Sequence, residues 1–233
     1  MKIEHNPNLL AILDDDKSVQ NALQDLIESE GMSTLCYDSA EQFLDSEDRH
    51  KAACLIADIR MPGMSGIEVQ AKLKAERCRI PIIFITARGD IPSTVSAMKG
   101  GAIDFFTKPV DGAALLNSIE RALQQARANR QEAIEYARLV AKYESLTPRE
   151  REVLPLLVCG LLNKQVAFEL GITEYTVQFH RGRIMRKMEA DSFAALVRMA
   201  ANLSFNNLQP PQTQSAGRFL AAHSYRLDVL WSS

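Results

Sequence analysis

The sequence lacks any long hydrophobic run. No apolar stretch approaches the roughly 20 residues that a membrane-spanning helix needs, and the N-terminal segment MKIEHNPN has no apolar core of the kind found in signal peptides. These two absences argue against an integral membrane protein and against a secreted one. We therefore expect a cytoplasmic protein that has no membrane among its partners.

Cysteine is scarce and follows no functional pattern. The four cysteines lack the paired spacing of a metal centre or a redox motif. Three of them lie in or beside apolar stretches, which predicts buried free thiols. The four residues are Cys36, Cys54, Cys78 and Cys159.

Charge is unevenly distributed, although the net charge is only −2. Residues 1–127 contain 14 Lys and Arg against 19 Asp and Glu, whereas residues 128–233 contain 13 against 10. An acidic first part and a basic second part are typical of a two-domain chain whose second domain meets a polyanion. A length of 233 residues and a hydrophobic fraction of 46% suit two small globular domains.

Short apolar runs alternate with helical patterns along the first half of the chain. Strand–helix alternation repeated five times predicts an α/β fold, a doubly wound five-stranded parallel sheet, which we place at residues 9–125. The predicted strands, in chain order, are Leu9–Leu13, Thr34–Tyr37, Cys54–Ala57, Ile82–Ile85 and Ile103–Phe106.

Beyond the first domain, the composition changes twice. Residues 126–142 are rich in Ala, Gln, Arg and Glu and contain no Pro or Gly, which predicts a helical linker that continues the fifth helix. Residues 204–233 contain the uncharged, Pro-bearing stretch NNLQPPQTQSAG, and we expect this tail to be disordered.

Between these segments, residues 143–203 predict an all-α domain of four short helices. The segment TPRE that starts at Thr147 is a capping box with Pro at the first helical position, so a helix begins there. Asn163 and Thr173 are predicted to cap the next two helices, and Asp191-Ser192 starts the fourth. The second and third helices have the apolar spacing of two helices packed around a short turn, as in a helix-turn-helix.

Polar side chains follow the ends of several predicted strands. Taken singly, each of them could be a turn or capping residue, as we expect Asp16 to be. The carboxyl ends of parallel strands, however, meet at one edge of the sheet, where open α/β folds bind ligands. Clustered carboxylates there make a hard-cation site, and a hydroxyl and an ammonium beside them suit a phosphoryl group carried by one carboxylate. The residues concerned are Asp14, Asp15, Asp58, Thr86 and Lys108.

The motifs AILDDD, LIADIRMPGMSG, IPIIFITARGD and GAIDFFTKP resemble the receiver domain of bacterial two-component response regulators. This resemblance implies a flavodoxin-like fold in which Asp58 accepts a phosphoryl group from a sensor histidine kinase. It also implies a Mg²⁺ ion, which would stabilise charge on the transferring group. The implied metal ligands are Asp14, Asp15, Asp58 and the backbone carbonyl of Arg60.

The resemblance further implies how phosphorylation is sensed. Thr86 would hydrogen-bond the phosphoryl group, Lys108 would pair with it, and Phe105 would change rotamer together with Thr86, which makes a two-state element. A cis peptide between Lys108 and Pro109 is also implied, and X–Pro bonds tolerate that geometry.

Two enzyme classes use similar parts, and the sequence disfavours both. Phosphatases of the haloacid-dehalogenase type need a second Asp two positions after the nucleophile, where this chain has Arg60. A dinucleotide-binding dehydrogenase needs a Gly-rich turn after the first strand, where this chain has three consecutive Asp residues. We therefore expect a protein that is not an enzyme.

Residues 143–203 resemble the helix-turn-helix domain of the LuxR/NarL class, on the motifs LTPRE, NKQVA, ELGI and IMRKM. Joined to a receiver in this order, the chain resembles the FixJ branch of response regulators. No acid lies between Gln178 and Lys187, which favours insertion of this helix into the DNA major groove over a solvated surface.

The family alignment implies that Gln178, Phe179 and Gly182 face base edges, where Gln suits adenine and Phe suits a thymine methyl group. Gly182 departs from the longer side chains of many relatives, which puts its base contact in doubt. Predicted phosphate contacts are Lys164, Thr176, Arg181, Arg183 and Lys187.

The sequence thus predicts a regulator in which phosphorylation of Asp58 controls homodimer formation and binding to promoter DNA, with RNA polymerase as a further candidate partner. In relatives, the phosphorylated receiver dimerises through the face that corresponds to residues 90–107. One alternative is a DNA-binding regulator that does not depend on phosphorylation and is controlled by a partner, although the intact set of pocket residues argues against it. The other is hydrolysis of phosphate esters, which Arg60 disfavours.

Overall fold

A computed structural model describes residues 8–87 and 91–205, and the chain divides into two compact units between Glu132 and Ala133. For residues 91–93 and 204–205, only the backbone is described. The prediction of a disordered tail falls, for residues 206–233, outside the described residues.

The first unit contains a five-stranded parallel sheet in the order β2-β1-β3-β4-β5, which confirms the predicted fold class. The third and fourth strands extend one residue further than predicted and so include Asp58 and Thr86, and the fifth is shifted by one residue. The strands are β1 (Leu9–Leu13), β2 (Ser33–Tyr37), β3 (Cys54–Asp58), β4 (Ile82–Thr86) and β5 (Asp104–Thr107).

Helices cover both faces of the sheet, so the central strands are buried on both sides and are apolar without alternation. Successive side chains of a strand point to opposite faces. Accordingly Phe84 packs on one face against Val69, whereas Ile83 and Ile85 pack on the other against Leu115. The helices are α1 (Lys17–Ser29), α2 (Ala40–Asp45), α3 (Gly66–Ala75), α4 (Ile91–Gly100) and α5 (Gly112–Glu144), with a short 3-10 helix at Glu47–His50.

Helix α5 is 33 residues long and contributes to both units. Leu115 and Ile119 belong to the core of the first unit, and Ala126 packs against that core. Tyr136 and Tyr143 pack instead against the core of the second unit. Residues 126–142 are therefore helical, as predicted, and residues near both ends of this segment take part in packing.

The second unit is built from the end of α5 and four helices around one apolar core. Val153, Val166, Val177 and Ile184 are fully buried at its centre. Gly171 joins the second and third helices with a φ of +63°, a left-handed conformation that glycine adopts without strain. The helices are α6 (Pro148–Val158), α7 (Asn163–Leu170), α8 (Glu174–Lys187) and α9 (Phe193–Phe205).

The helix starts agree with the sequence predictions at three of four places. The Thr147–Glu150 capping box is present, and Thr173 and Ser192 accept hydrogen bonds from the first turns of α8 and α9. The prediction that Asn163 caps α7 is wrong, since Asn163 is the first helical residue. The N-cap residue of α7 is Leu162. Its N–H donates to Gln165 Oε1 at 2.8 Å, so the glutamine side chain supplies the capping hydrogen bond.

The four cysteines are free, as predicted, but their burial differs from the prediction. Cys54 is fully buried in β3, whereas Cys159 is exposed. Cys159 lies where α6 ends, so it leaves the apolar face although its sequence neighbours are hydrophobic. In the parts of the chain that the structure describes, we find no helix that combines the length and hydropathy needed to cross a bilayer.

Candidate functional site

The carboxyl edge of the sheet brings the predicted pocket residues together. Asp14 directly follows β1, and Asp58 and Thr86 are the last residues of β3 and β4, the next two strands of the sheet. All three side chains are buried, whereas Asp15 is exposed. The parallel arrangement therefore places two buried carboxylates and a buried hydroxyl at one edge, with a third carboxylate open to solvent.

The three aspartates form a compact acidic cluster. Asp14, Asp15 and Asp58 each offer a carboxylate oxygen, and these oxygens lie within 4.8 Å of one another. Backbone N–H groups orient two of the carboxylates, because Asp16 donates to Asp14 Oδ1 at 3.0 Å and Arg60 to Asp58 Oδ1 at 2.8 Å. An all-oxygen donor set of this size fits a hard divalent cation.

Lys108 lies between the two buried carboxylates. Its Nζ is 2.7 Å from Asp14 Oδ2 and 2.7 Å from Asp58 Oδ2. Burial lowers the pKa of Lys108, but its hydrogen bonds to both carboxylates outweigh that effect, so the pKa is raised and the ammonium keeps its proton. Burial also raises the pKa of Asp14 against the opposing hydrogen bonds. Three carboxylates and one ammonium carry a formal charge of −2, which one divalent cation would neutralise.

The predicted switch residues lie on neighbouring strands. The N–H of Lys108 donates to the Thr86 carbonyl at 2.8 Å, which ties the end of β5 to β4, and the Lys108–Pro109 peptide is cis. Phe105 pairs in register with Phe84 and packs, half-buried, against the core on the α3 face. The coupled movement of Thr86 and Phe105 stays a prediction.

The predicted DNA-reading residues share an exposed side of α8. Gln178, Phe179 and Gly182 are exposed, and a Cβ added at Gly182 would meet nothing within 4 Å. These three residues form an exposed stripe on α8. Of the predicted phosphate contacts outside this stripe, Lys164 on α7 is exposed, and the Thr176 hydroxyl shares a 2.8 Å hydrogen bond with the Thr173 hydroxyl. Base and phosphate contacts at these positions stay predictions.

The cationic residues of α8 are held in different ways. The Arg181 guanidinium lies over the Phe193 ring of α9, 4.6 Å from its centroid, and the Arg183 guanidinium lies over the Phe179 ring at 5.0 Å. Lys187 points into the unit, where its Nζ is 2.6 Å from Glu150 Oε2 and 3.0 Å from the Ser145 carbonyl. The phosphate contact predicted for Lys187 would therefore compete with an internal ion pair.

Comparison with known proteins assigns both units to families. Residues 10–120 match the response regulator receiver domain, and residues 144–200 match the bacterial regulatory proteins of the luxR family. The response regulator protein TodT of Pseudomonas putida is 48% identical over 196 residues, which cover 84% of this chain and 86% of TodT. The chain belongs to the two-component response regulators.

Two further comparisons agree with this assignment. The transcriptional regulatory protein FixJ of Bradyrhizobium diazoefficiens is 39% identical to this response regulator over 197 residues, which cover 84% of the chain and 96% of FixJ. The solved structure of the response regulator StyR is 46% identical, with a TM-score of 0.68, and the match covers 83% of the chain and 98% of StyR. The chain is therefore a two-component transcriptional regulator with a LuxR-type DNA-binding domain, and both matched families are regulatory domains. These domains imply a histidine kinase and promoter DNA as its partners.

Sequence reasoning missed a buried glutamine that positions the acidic cluster of this response regulator. The Gln20 Nε2 donates to the carbonyl of Asp14 and, at 2.9 Å, to that of Tyr37. It thereby ties α1 to the carboxyl ends of β1 and β2. A signal was available, because Gln20 shares the buried face of α1 with Leu23 and Ile27, where a polar side chain needs hydrogen-bond partners.

Gly66 was also missed, although it lies in the quoted motif RMPGMSG. Its N–H donates to the Ile59 carbonyl at 3.1 Å, and a Cβ at this position would lie 2.3 Å from the carbonyl oxygen of Asp58. The absence of a side chain lets α3 begin directly against the end of β3. A methyl group there would push the backbone that carries Asp58.

Gly66→Ala is therefore expected to destabilise the receiver unit by about 1–3 kcal/mol, the usual cost of overpacking, and to slow phosphorylation by small-molecule donors. Denaturant unfolding and labelling kinetics measure the two effects. Gly112→Ala is the matched control, because its Cβ would meet only the Leu26 side chain, at 3.4 Å. Equal stability and equal labelling of the two variants would show that the Gly66 contact is unimportant.

Proposed function

We propose that Asp58 is the phosphoryl acceptor, that a sensor histidine kinase is the donor, and that phosphorylation controls homodimer formation and binding to promoter DNA. The observation that carries this proposal is the bridge that Lys108 makes between Asp14 and Asp58 inside a cluster of three aspartates. Such a cluster combines a nucleophilic carboxylate, ligands for a divalent cation and a fixed positive charge.

The reaction is a transfer between two side chains. A carboxylate oxygen of Asp58 attacks the phosphorus of the phosphohistidine, and the phosphorus–nitrogen bond breaks as an acyl phosphate forms. The histidine ring takes the bond's electron pair and leaves as neutral imidazole, because its other nitrogen already carries a proton. Mg²⁺ bound at the site would stabilise negative charge on the transferring group. Asp14, Asp15 and Asp58, with the carbonyl of Arg60, would hold it.

Lys108 and Thr86 would respond to the new charge. Phosphorylation adds up to about two negative charges and several acceptor oxygens at Asp58. The Lys108 ammonium, already 2.7 Å from the Asp58 carboxylate, can pair with those oxygens. The Thr86 hydroxyl at the neighbouring strand end can donate to the same group, and its movement would leave room for Phe105, which turns a local charge into a change of surface.

The remaining assignments follow from this mechanism. A regulator that receives phosphate from a kinase and binds promoters works in the cytoplasm, and RNA polymerase is a downstream partner for it. On α8, Gln178 and Phe179 are the proposed base readers, while Lys164 and Thr176 are proposed phosphate contacts for α8 inserted in the major groove.

Beryllofluoride with Mg²⁺, which mimics a phosphoryl group on Asp, is expected to convert the full chain from monomer to dimer and to extend its protection of promoter DNA in a footprint. Light scattering and footprinting measure the two effects, with Asp58→Asn as the unresponsive control. An unchanged mass and an unchanged footprint would instead favour a DNA-binding regulator that is controlled by a partner without phosphorylation.

A further inference from the structure

Phe179 and Arg183 form one stacked pair on the exposed side of α8. They are one helical turn apart, so their side chains lie on the same side of the helix, and the guanidinium carbon is 5.0 Å from the ring centroid. Phe179 is 52% exposed, so about half of its surface is not used in packing within the unit. A cation–π contact of this kind restricts the guanidinium to positions above the ring.

The Arg183 guanidinium makes no polar contact with the described residues of its own unit, 133–205. Among residues 8–87 and 91–205, no hydrogen bond or ion pair engages it, which leaves its N–H donors available. Lys187 differs in this respect, because it is paired with Glu150, whereas the Arg181 guanidinium is directed away from Phe179 and lies over the Phe193 ring of α9. The Phe179 ring therefore orients the Arg183 guanidinium, and the guanidinium N–H groups have no partner among the described residues.

Arg183 lies on the same exposed side of α8 as Phe179. Residues three and four apart on a helix share a side, so Arg183 continues the stripe that contains Phe179 and lies next to Gly182. Because Gly182 has no side chain and its surroundings are open, the helix backbone can come close to a groove floor there. A close approach brings the Arg183 guanidinium within reach of base edges, whereas a phosphate contact would place it on the flank of the stripe.

We propose that Phe179 and Arg183 act as a single reading unit for a thymine and a neighbouring guanine. The ring would pack against the thymine methyl group, and the stacked guanidinium would donate two hydrogen bonds to O6 and N7 of the guanine. This inference rests on the proposed DNA-binding function, and it replaces the phosphate contact that the sequence predicts for Arg183. The pair also supplies the base contact that Gly182, without a side chain, cannot make.

The test uses the full chain with beryllofluoride and a duplex selected by the wild-type protein from a random library. Arg183→Lys keeps the charge but cannot make the two parallel hydrogen bonds, so it is expected to lower affinity for the selected duplex by about 10- to 100-fold. Its affinity for random DNA and its salt dependence should not change. Phe179→Leu should weaken the same guanine preference, and adding it to Arg183→Lys should cost much less than the product of the two single effects.

Arg186→Lys is the matched control, an exposed arginine on the same helix, and it should leave the sequence preference unchanged. The inference is overturned if Arg183→Lys binds the selected duplex as tightly as wild type. It is equally overturned if Arg183→Gln weakens selected and random DNA alike and reduces the salt slope by about one unit, the behaviour of a phosphate contact. If the wild-type protein binds no DNA and selects no sequence, the proposed function fails as well.

Discussion

Asp58→Asn is expected to abolish incorporation of a phosphoryl group from acetyl phosphate in the presence of Mg²⁺. Asn retains the size of the side chain and its Oδ1 can still accept the 2.8 Å hydrogen bond from the Arg60 N–H, so the loop should keep its conformation. An amide oxygen, however, is a much weaker nucleophile than a carboxylate and cannot form the acyl phosphate. Labelling should fall to background, and any change in the unfolding transition should be limited to the loss of the ion pair between Lys108 and Asp58.

Asp16→Asn is the matched control for this experiment. Asp16 lies two residues after Asp14, but its carboxylate caps α1 by accepting hydrogen bonds from the N–H and hydroxyl of Ser18. Asn is an equally good capping residue, so labelling of this variant should match wild type. Undiminished labelling of Asp58→Asn, with the phosphate located on another residue by mass spectrometry, would refute the assignment of the acceptor.

Lys187→Met is expected to destabilise the DNA-binding unit by about 3 kcal/mol, because removing one partner of a buried ion pair leaves the other charge uncompensated. Glu150 is fully buried, and its Oε2 is 2.6 Å from the Lys187 ammonium. Its Oε1 is also buried and has no hydrogen-bond partner among the residues that the structure describes, so the carboxylate depends on Lys187 and on the Thr147 N–H. Denaturant unfolding of the full chain, followed by circular dichroism, measures the effect.

Two further variants separate the ion pair from a DNA contact. Adding Glu150→Gln to Lys187→Met removes the uncompensated charge and should restore much of the lost stability, since a glutamine can still accept from the Thr147 N–H. Arg186→Met, an exposed neighbour, should change the free energy of unfolding by less than about 0.5 kcal/mol. A Lys187→Met variant that is as stable as wild type but binds DNA with a smaller salt dependence would make Lys187 a phosphate contact instead.

The same ion pair has a defined pH dependence. Burial raises the pKa of Glu150, but its hydrogen bonds to Lys187 and Thr147 outweigh burial, and the pKa is lowered. A lowered carboxyl pKa contributes stability above the ordinary value of about 4.3 and loses it as the pH falls through the lowered pKa. In Lys187→Met, burial without the lysine raises the pKa of Glu150, so the difference in free energy of unfolding between wild type and variant should begin to narrow above about pH 4.3 and narrow further as the pH falls toward the lowered pKa of the wild type.

Local pattern was sufficient to locate the strand ends and hence the acidic edge. The runs LLAIL, CLIA and IIFI are apolar without alternation because both faces of the sheet are covered, and each ends at a polar residue. Parallel strands place such residues at one edge whatever the details of packing. The sequence alone therefore predicts that Asp14, Asp58 and Thr86 lie together.

Local sequence pattern did not identify the partners of side chains whose contacts depend on the tertiary structure. Asn163 is a residue type that often caps helices, but at the start of α7 the Gln165 side chain supplies the capping hydrogen bond. Lys187 is paired with a buried carboxylate 37 residues earlier, a contact that the basic pattern of α8 does not indicate, while its phosphate contact stays a prediction. The stacking of Arg183 on Phe179 is likewise a choice of rotamer that residue type alone does not determine.

The sequence by itself determined the order of strands and helices, the edge at which the carboxylates gather and the family to which each half belongs, because these depend on apolar periodicity and on short motifs. Only the tertiary structure decided that Gln20 holds the Asp14 carbonyl, that a side chain at Gly66 would collide with the Asp58 carbonyl and that Glu150 is buried against Lys187. Those contacts join different elements, α1 with the end of β1, α3 with the end of β3 and α6 with α8, and their energies depend on burial and distance, which no local pattern records.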